Sequence, residues 1–344
     1  MNNSANHVGI LVHHGLGDLL MAVPLLKACD RPDRKLSIVV KSQYEAGLLP
    51  MLDLSCEYEV TTLAGASSRS YTAQVEALMK LRRSNLDVLL APHATESLMI
   101  ALFCRHAKAR MTVGPESERL GRLYDKTVCK SRYSSKTEYY LAFCQTAELL
   151  PTTPSEEQLA EMLLVSQRFR TQSSRTTAPT IAFAPGSNAI ELHKRWPIDH
   201  WTKLASILRS ELPEARLVAV GSPPEARLLQ DLSSAMPPDL PLTIAMPTSL
   251  PEALEEYSRF SCVIAGCTGA LHLANSVHTP TVGLFGPTNP VWTGPYGPRN
   301  RHRRSKLDCS PCYSDWNRLG CGNPVCMTGI TPETVARSVR DALK

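Results

Sequence analysis

Short apolar runs alternate with segments of helical spacing along most of the chain. Residues 8–13, VGILVH, form a compact apolar run, residues 19–29 carry apolar side chains at three- and four-residue intervals, and Lys35–Val40 is a second run. Runs of this length read as buried strands, and the periodic segment between them as a helix. The alternation continues with a strand over 87–91, a helix over 96–106, a strand over 111–114 and a helix over 139–149. Residues 166–180, SQRFRTQSSRTTAPT, are polar and aperiodic and read as a linker. A second series follows: strand Thr180–Ala184, helix Ile198–Glu211, strand 215–220, helices 224–235 and 250–258, strand 262–265, helix 270–276 and strand 281–285. The last helix, Pro332–Leu343, is expected to pack back across the domain junction.

Such βα alternation predicts parallel sheets covered by helices on both faces. The expected class is α/β, with two doubly wound domains, 1–170 and 171–330. Ligands would sit in a cleft between them, against the carboxyl ends of strands.

Composition supports this picture and narrows the partners. A chain of 344 residues, 43% hydrophobic and 20% charged, suits two folded domains. No apolar run has the length of a membrane span, and the N-terminus lacks the pattern of a secretory signal, so the expected address is the cytoplasm. A net charge of +5 with 6% aromatic residues argues against nucleic acid as a partner. Local charge is more pointed: residues 105–136 hold nine Lys or Arg against three acids, and Arg299, Arg301, Arg303, Arg304 and Lys306 form a second cluster. Each is either a solvated face or an attraction for a phosphorylated substrate or anionic head groups, the latter implying peripheral contact with the inner membrane surface.

Three stretches carry candidate chemistry. In HHGLGDLL the glycines permit a tight turn between strand and helix, the exposed amides suit an anion, and Asp18 is either a helix-start residue favoured by the dipole or a general base facing a cleft. In PGSNAIELHKRWP, Trp196 and Pro197 fit a helix packed on a sheet, whereas Gly186, Ser187 and Lys194 offer amide, hydroxyl and ammonium groups for a phosphate. In AGCTGALHLA, Thr268 and Gly269 open a helix and suit a pyrophosphate, and His272 one turn on is a core histidine or a ligand.

Taken together, these stretches resemble glycosyltransferase family nine, the ADP-heptose:lipopolysaccharide heptosyltransferases. The motifs that carry the resemblance are KRWP, TGxxHLA, the P-x-V-x-LFGPT turn, CSPC and the late CM-x-x-I-TPE-x-V run, in the family's order from Gly15 to Thr331. The resemblance implies a GT-B fold, two Rossmann-like domains facing a cleft, with acceptor on the N-terminal half and nucleotide sugar on the C-terminal half. It implies an inverting transfer of a sugar, heptose in the family, from an ADP-sugar to a lipopolysaccharide-type or other glycan acceptor. Asp18 matches the family's base, and Lys194 the lysine on the diphosphate. Ser187, Thr268 and Gly269 match nucleotide-phosphate positions, His272 lies near the donor, and Thr248 falls in the loop that holds the nucleotide base. No cofactor is required if Lys194 and helix amides meet the leaving diphosphate.

Two departures bear on the donor. Cys267 stands where the family has an aspartate to the sugar hydroxyls, and Pro223-Pro224 replaces polar residues near the ribose. Another nucleotide sugar, a protein or small-molecule acceptor, or a non-catalytic nucleotide-sugar-binding protein are the alternatives. Finally, Cys309, Cys312, Cys321 and Cys326 have a spacing that permits a structural zinc or iron, a disulfide or reduced thiols.

Overall fold

The computed structural model describes residues 5–63, 71–92, 97–171, 178–312 and 321–344. The chain divides into two compact units, Met1–Val165 and Ser166–Lys344.

The first unit is a six-stranded parallel sheet in the order β3-β2-β1-β4-β5-β6. Its strands are β1 (His7–Val12), β2 (Lys35–Val40), β3 (Glu57–Thr62), β4 (Val88–Leu90), β5 (Met111–Pro115) and β6 (Lys126–Val128). The helices are α1 (Leu16–Met21), α2 (Val23–Cys29), α3 (Gln43–Ala46), α4 (Tyr71–Arg83), α5 (Leu98–His106), α6 (Lys136–Thr146) and α7 (Glu156–Leu163). One face is filled by Leu11, Val39, Leu81, Ile100 and Phe103, where α4 and α5 pack. The apolar segment expected as one helix over 19–29 is two. Pro24 lacks an N–H and its ring excludes the carbonyl four residues back, so the chain breaks at Ala22 and restarts with proline in the first turn of α2. Helix α6 starts three residues earlier than its apolar spacing suggests, because Ser135 and Glu138 form a reciprocal capping box.

The second unit repeats the plan. Its strands are β7 (Thr180–Ala184), β8 (Arg216–Val220), β9 (Thr243–Ala245), β10 (Cys262–Gly266), β11 (Thr281–Leu284) and β12 (Arg301–Arg303), all parallel in the order β12-β11-β10-β7-β8-β9. Read from the other edge, this matches the first sheet strand for strand, and it is the Rossmann order. The helices are α8 (Ile198–Glu211), α9 (Ala226–Ser234), α10 (Leu250–Arg259), α11 (Gly269–Ser276), α12 (Pro290–Thr293), α13 (Val325–Thr328) and α14 (Pro332–Leu343). Trp196, Trp201 and Phe183 stack in the core, with the Trp196 indole donating to the Ile330 carbonyl at 2.9 Å, so Trp196 is a packing residue.

Two expectations need correction here. Helix α14 packs into the second unit, because its apolar stripe Val335, Ala336, Val339 and Ala342 joins the same core as Trp201 and Val282. The boundary falls after Val165, at the start of the expected linker: Thr171 already donates its amide to Val277 at 2.8 Å. Residues 172–177 of that linker, and Glu96 of the expected helix 96–106, lie outside the described residues.

Candidate functional site

In an open parallel sheet, ligands bind beyond the carboxyl ends of strands where the order reverses, here between β1 and β4 and between β7 and β10. The residues singled out above follow these strands.

After β1, Gly15 caps α1 and Asp18 sits in its first turn, with its amide bonded to the Gly15 carbonyl at 3.0 Å. The Asp18 carboxylate is 22% exposed; Lys136 lies 2.5 Å from Oδ1, the Tyr140 hydroxyl donates to the same oxygen at 3.3 Å, and His14 lies 3.9 Å from Oδ2. Burial pushes the His13 imidazole down to about pKa 3, with His14 adding to the effect and Asp18 opposing it. Gly15 departs from expectation: its φ is −74° and a Cβ there would meet no atom of the described residues within 4 Å. No steric demand for a tight turn explains it. Among the described residues, what the glycine leaves is open space beside the helix start. With only six residues, α1 is also too short to make its amides a strong anion site.

After β7 the chain turns through Pro185-Gly186-Ser187. Ser187 is buried, and its hydroxyl accepts from Arg195 Nε at 3.1 Å while Arg195 also reaches the Ser187 carbonyl at 3.3 Å. Lys194 ends a 3-10 turn, is 8% exposed, and places Nζ 2.5 Å from Glu191 Oε1. Burial first, then the neighbouring Lys194, lowers the pKa of His193. This turn rests on the end of β10: a Cβ on Gly266 would lie 2.9 Å from the Lys194 carbonyl oxygen. Lys194 and the start of α11 are thereby brought together by backbone packing.

At that start, Thr268 is the N-cap residue with extended backbone, yet its side chain makes no cap bond. Its Oγ1 is shielded from solvent and has no hydrogen-bond partner among the described residues. A threonine at this place ordinarily spends its oxygen on the helix amides; here the hydroxyl is left to a ligand, while the Leu271 amide closes the first turn on the Thr268 carbonyl at 3.2 Å. His272 is buried one turn on. Cys267 is 8% exposed, with Sγ 3.1 Å from the Thr293 hydroxyl of α12.

Sequence reading missed Glu225, Arg195 and Glu191. Glu225 is held by the Ser222 amide and hydroxyl at 2.8 and 2.7 Å, and it presses on Gly186 so closely that a Cβ there would lie 1.6 Å from Oε1. The Ser222-x-x-Glu225 spacing was its available signal. Thr248 is not gathered with the others: it follows edge strand β9, and its amide and hydroxyl both donate to Glu252 at 2.8 Å. Three strand spacings separate β9 from β10, roughly 14 Å.

The four late cysteines are free thiols, running from exposed Cys309 and Cys321 to buried Cys326. Burial raises the Cys326 thiol pKa, and Cys312, Cys309 and Cys321 add to the rise. Among the described residues no three His, Cys, Asp or Glu side chains converge as metal ligands, and residues 313–320 between Cys312 and Cys321 lie outside the described ones. The Cys312 amide instead donates to Pro287 at 2.9 Å, tying this loop to the FGPT turn. The second basic cluster also has a structural use: Arg301 and Arg303 donate to the Asp341 and Thr334 carbonyls of α14 at 3.3 and 3.1 Å.

Comparison with known proteins places this geometry. Residues 76–322 match glycosyltransferase family 9 (heptosyltransferase). Lipooligosaccharide heptosyltransferase 2 of Haemophilus influenzae is 27% identical over 232 residues, covering 63% of this chain and 65% of its own length. A family 9 glycosyl transferase from Veillonella parvula superposes with a TM-score of 0.76 at 18% identity over 98% of this chain and 97% of its own. The E. coli heptosyltransferase WaaC with ADP-2-deoxy-2-fluoro heptose gives 0.69 at 18% identity over 97% and 99%. The two Rossmann-like sheets are thus the fold of these structures, and with more than half of its residues matched the chain belongs to glycosyltransferase family 9.

Proposed function

We propose that the protein is an inverting glycosyltransferase that moves heptose from ADP-heptose to a lipopolysaccharide-type acceptor. The observation that carries this reading is the Thr268 hydroxyl at the start of α11, unpartnered among the described residues and beside the backbone of buried Lys194. A helix start with a spare hydroxyl, packed next to a segment that carries a buried lysine, is suited to a diphosphate. From there the strand ends run through Ser187 and Glu225 to the β9 loop with Thr248, the reach of an extended nucleoside diphosphate.

In the reaction, the acceptor hydroxyl gives its proton to the Asp18 carboxylate as its oxygen bonds to the anomeric carbon from the face opposite the diphosphate. The anomeric C–O bond breaks, and ADP leaves with the electron pair. Lys194 and the α11 amides meet the charge that develops on it. Before donor binding, Glu191 neutralises Lys194, so the diphosphate takes over a partner already in place. The ADP-heptose analogue bound by WaaC supports the choice of donor.

A different donor sugar is favoured by one feature, Cys267, whose thiol pairs with Thr293 where a carboxylate would reach sugar hydroxyls. No helix among the described residues is long and apolar enough to cross a membrane. We infer peripheral contact through α5, whose outer face exposes Leu98, Met99 and Leu102 next to Arg105.

The test is a thermal-shift comparison of ADP-, GDP- and UDP-sugars, followed by transfer to lipopolysaccharide from a heptose-deficient strain. Asp18→Asn is expected to keep donor binding and lose about a hundredfold in turnover. Stabilisation by a GDP- or UDP-sugar alone rejects the donor, and near-normal turnover of the variant rejects the base.

A further inference from the structure

The site after β1 contains an ion pair that the reaction outlined above does not use. Lys136 is the first residue of α6, and its ammonium lies 2.5 Å from Asp18 Oδ1. Tyr140, one turn along, donates to that same oxygen at 3.3 Å, and Lys136 Nζ lies 5.8 Å from the centroid of the Tyr140 ring. The two charged groups are only 17% and 22% exposed. Among the described residues, His14, 3.9 Å from Oδ2, and the neutral His13 also face the carboxylate.

Helix energetics do not account for Lys136. A cation in the first turn opposes the macrodipole, and withdrawing an ammonium from water costs more than a surface contact returns. What offsets this is Asp18, a residue 118 positions earlier in the chain. A carboxylate on a six-residue helix beside the open space at Gly15 would otherwise sample several rotamers. Two donors converging on one oxygen fix its plane, and the cation favours its ionised form.

We propose that Lys136, assisted by Tyr140, is a positioning residue for Asp18: it anchors Oδ1 so that the acceptor proton is taken at Oδ2. This rests on the reading of Asp18 as the base. Lys136→Met should lower kcat about tenfold or more while both substrate KM values stay within about twofold, the signature of an interaction used in the transition state. The acidic limb of kcat should move to higher pH, because a carboxylate without its cation is protonated more easily. Lys136→Arg should restore most of the turnover and the original limb. Tyr140→Phe, a milder change, should shift the limb in the same direction and keeps the proposal testable if Lys136→Met does not fold.

The assay uses ADP-heptose and heptose-deficient lipopolysaccharide. A substrate-free readout runs beside it: carboxyl-labelled aspartate titrated by NMR, with the Asp18 signal assigned by its loss in Asp18→Asn. Its titration should move up in Lys136→Met. An unmoved titration, a rise in acceptor KM alone, or a loss confined to melting temperature overturns the proposal. Wild-type turnover in Asp18→Asn overturns the base itself, whatever Lys136 does.

Discussion

Replacing Thr268 with valine separates two roles that a capping threonine usually combines. If its hydroxyl capped α11, removing it would cost about 1 kcal/mol of stability. No cap bond is present, and among the described residues Oγ1 is enclosed without a partner, so the wild-type protein carries the desolvation of that group instead. Valine has the same branched shape and lacks the polar atom. Relief of a buried unsatisfied hydroxyl is about 1 kcal/mol or somewhat more, a rise of about 2–4 °C in melting temperature for a unit of this size. Donor binding should change in the opposite sense. A hydrogen bond to a charged phosphate oxygen is about 1.5–3 kcal/mol, so the Kd for ADP should increase by roughly ten- to a hundredfold. Scanning calorimetry of the ligand-free protein and titration calorimetry with ADP measure the two effects on one preparation. A lower melting temperature would show that the hydroxyl caps the helix after all, and an unchanged Kd would remove it from the donor site.

Gly186→Ala should drive the Glu225 carboxylate out of its place, because the new Cβ would lie 1.6 Å from Oε1; a loss of about 1 kcal/mol from the broken capping box and weaker ADP binding are expected in melting and titration measurements. Gly15→Ala meets no atom of the described residues within 4 Å and keeps an ordinary φ, so it should fold like wild type, and any loss of transfer, read against an unchanged melting temperature, reports on substrate in that space. His13, held near pKa 3 against an ordinary 6.5, should make stability fall as pH drops from 6.5 toward 3, because the unfolded chain takes up a proton there that the folded chain refuses; His13→Gln should flatten that part of a denaturation-versus-pH series. Co-sedimentation with acidic liposomes should be strong at low salt, weaker at high salt, and reduced by the Leu98→Ser, Met99→Ser pair, whereas binding insensitive to salt would discard the electrostatic part of that contact.

The central strands were legible because they are buried on both faces and read as unbroken apolar runs: Lys35–Val40 and Thr180–Ala184 appear at their expected ends. The outer strands were not. Glu57–Thr62 is half-exposed along its length, and Lys126–Val128, Thr243–Ala245 and Arg301–Arg303 have three residues each, too short and too polar for periodicity to register. Candidate site residues at the ends of central strands could therefore be picked out. Those supplied by distant segments, Lys136 for Asp18 and Glu225 for Gly186, depend on folding to meet their partners. Thr248 shows the converse: a resemblance supplied its position, and in the structure its hydroxyl donates to the Glu252 carboxylate while Ser249 caps α10.

Strand β12, Arg-His-Arg at the edge of the second sheet, has its two arginines turned onto the backbone of α14. A free sheet edge is a template on which another chain can zip up, and proteins guard against this with short edge strands that carry charge. Here the guard is shared with the final helix. A truncation that stops before Pro332 would therefore do more than shorten the protein: it would strip the cover from β10, β11 and β12 together and offer that edge to neighbouring molecules, and such a fragment is expected to assemble into insoluble material rather than remain as a smaller enzyme.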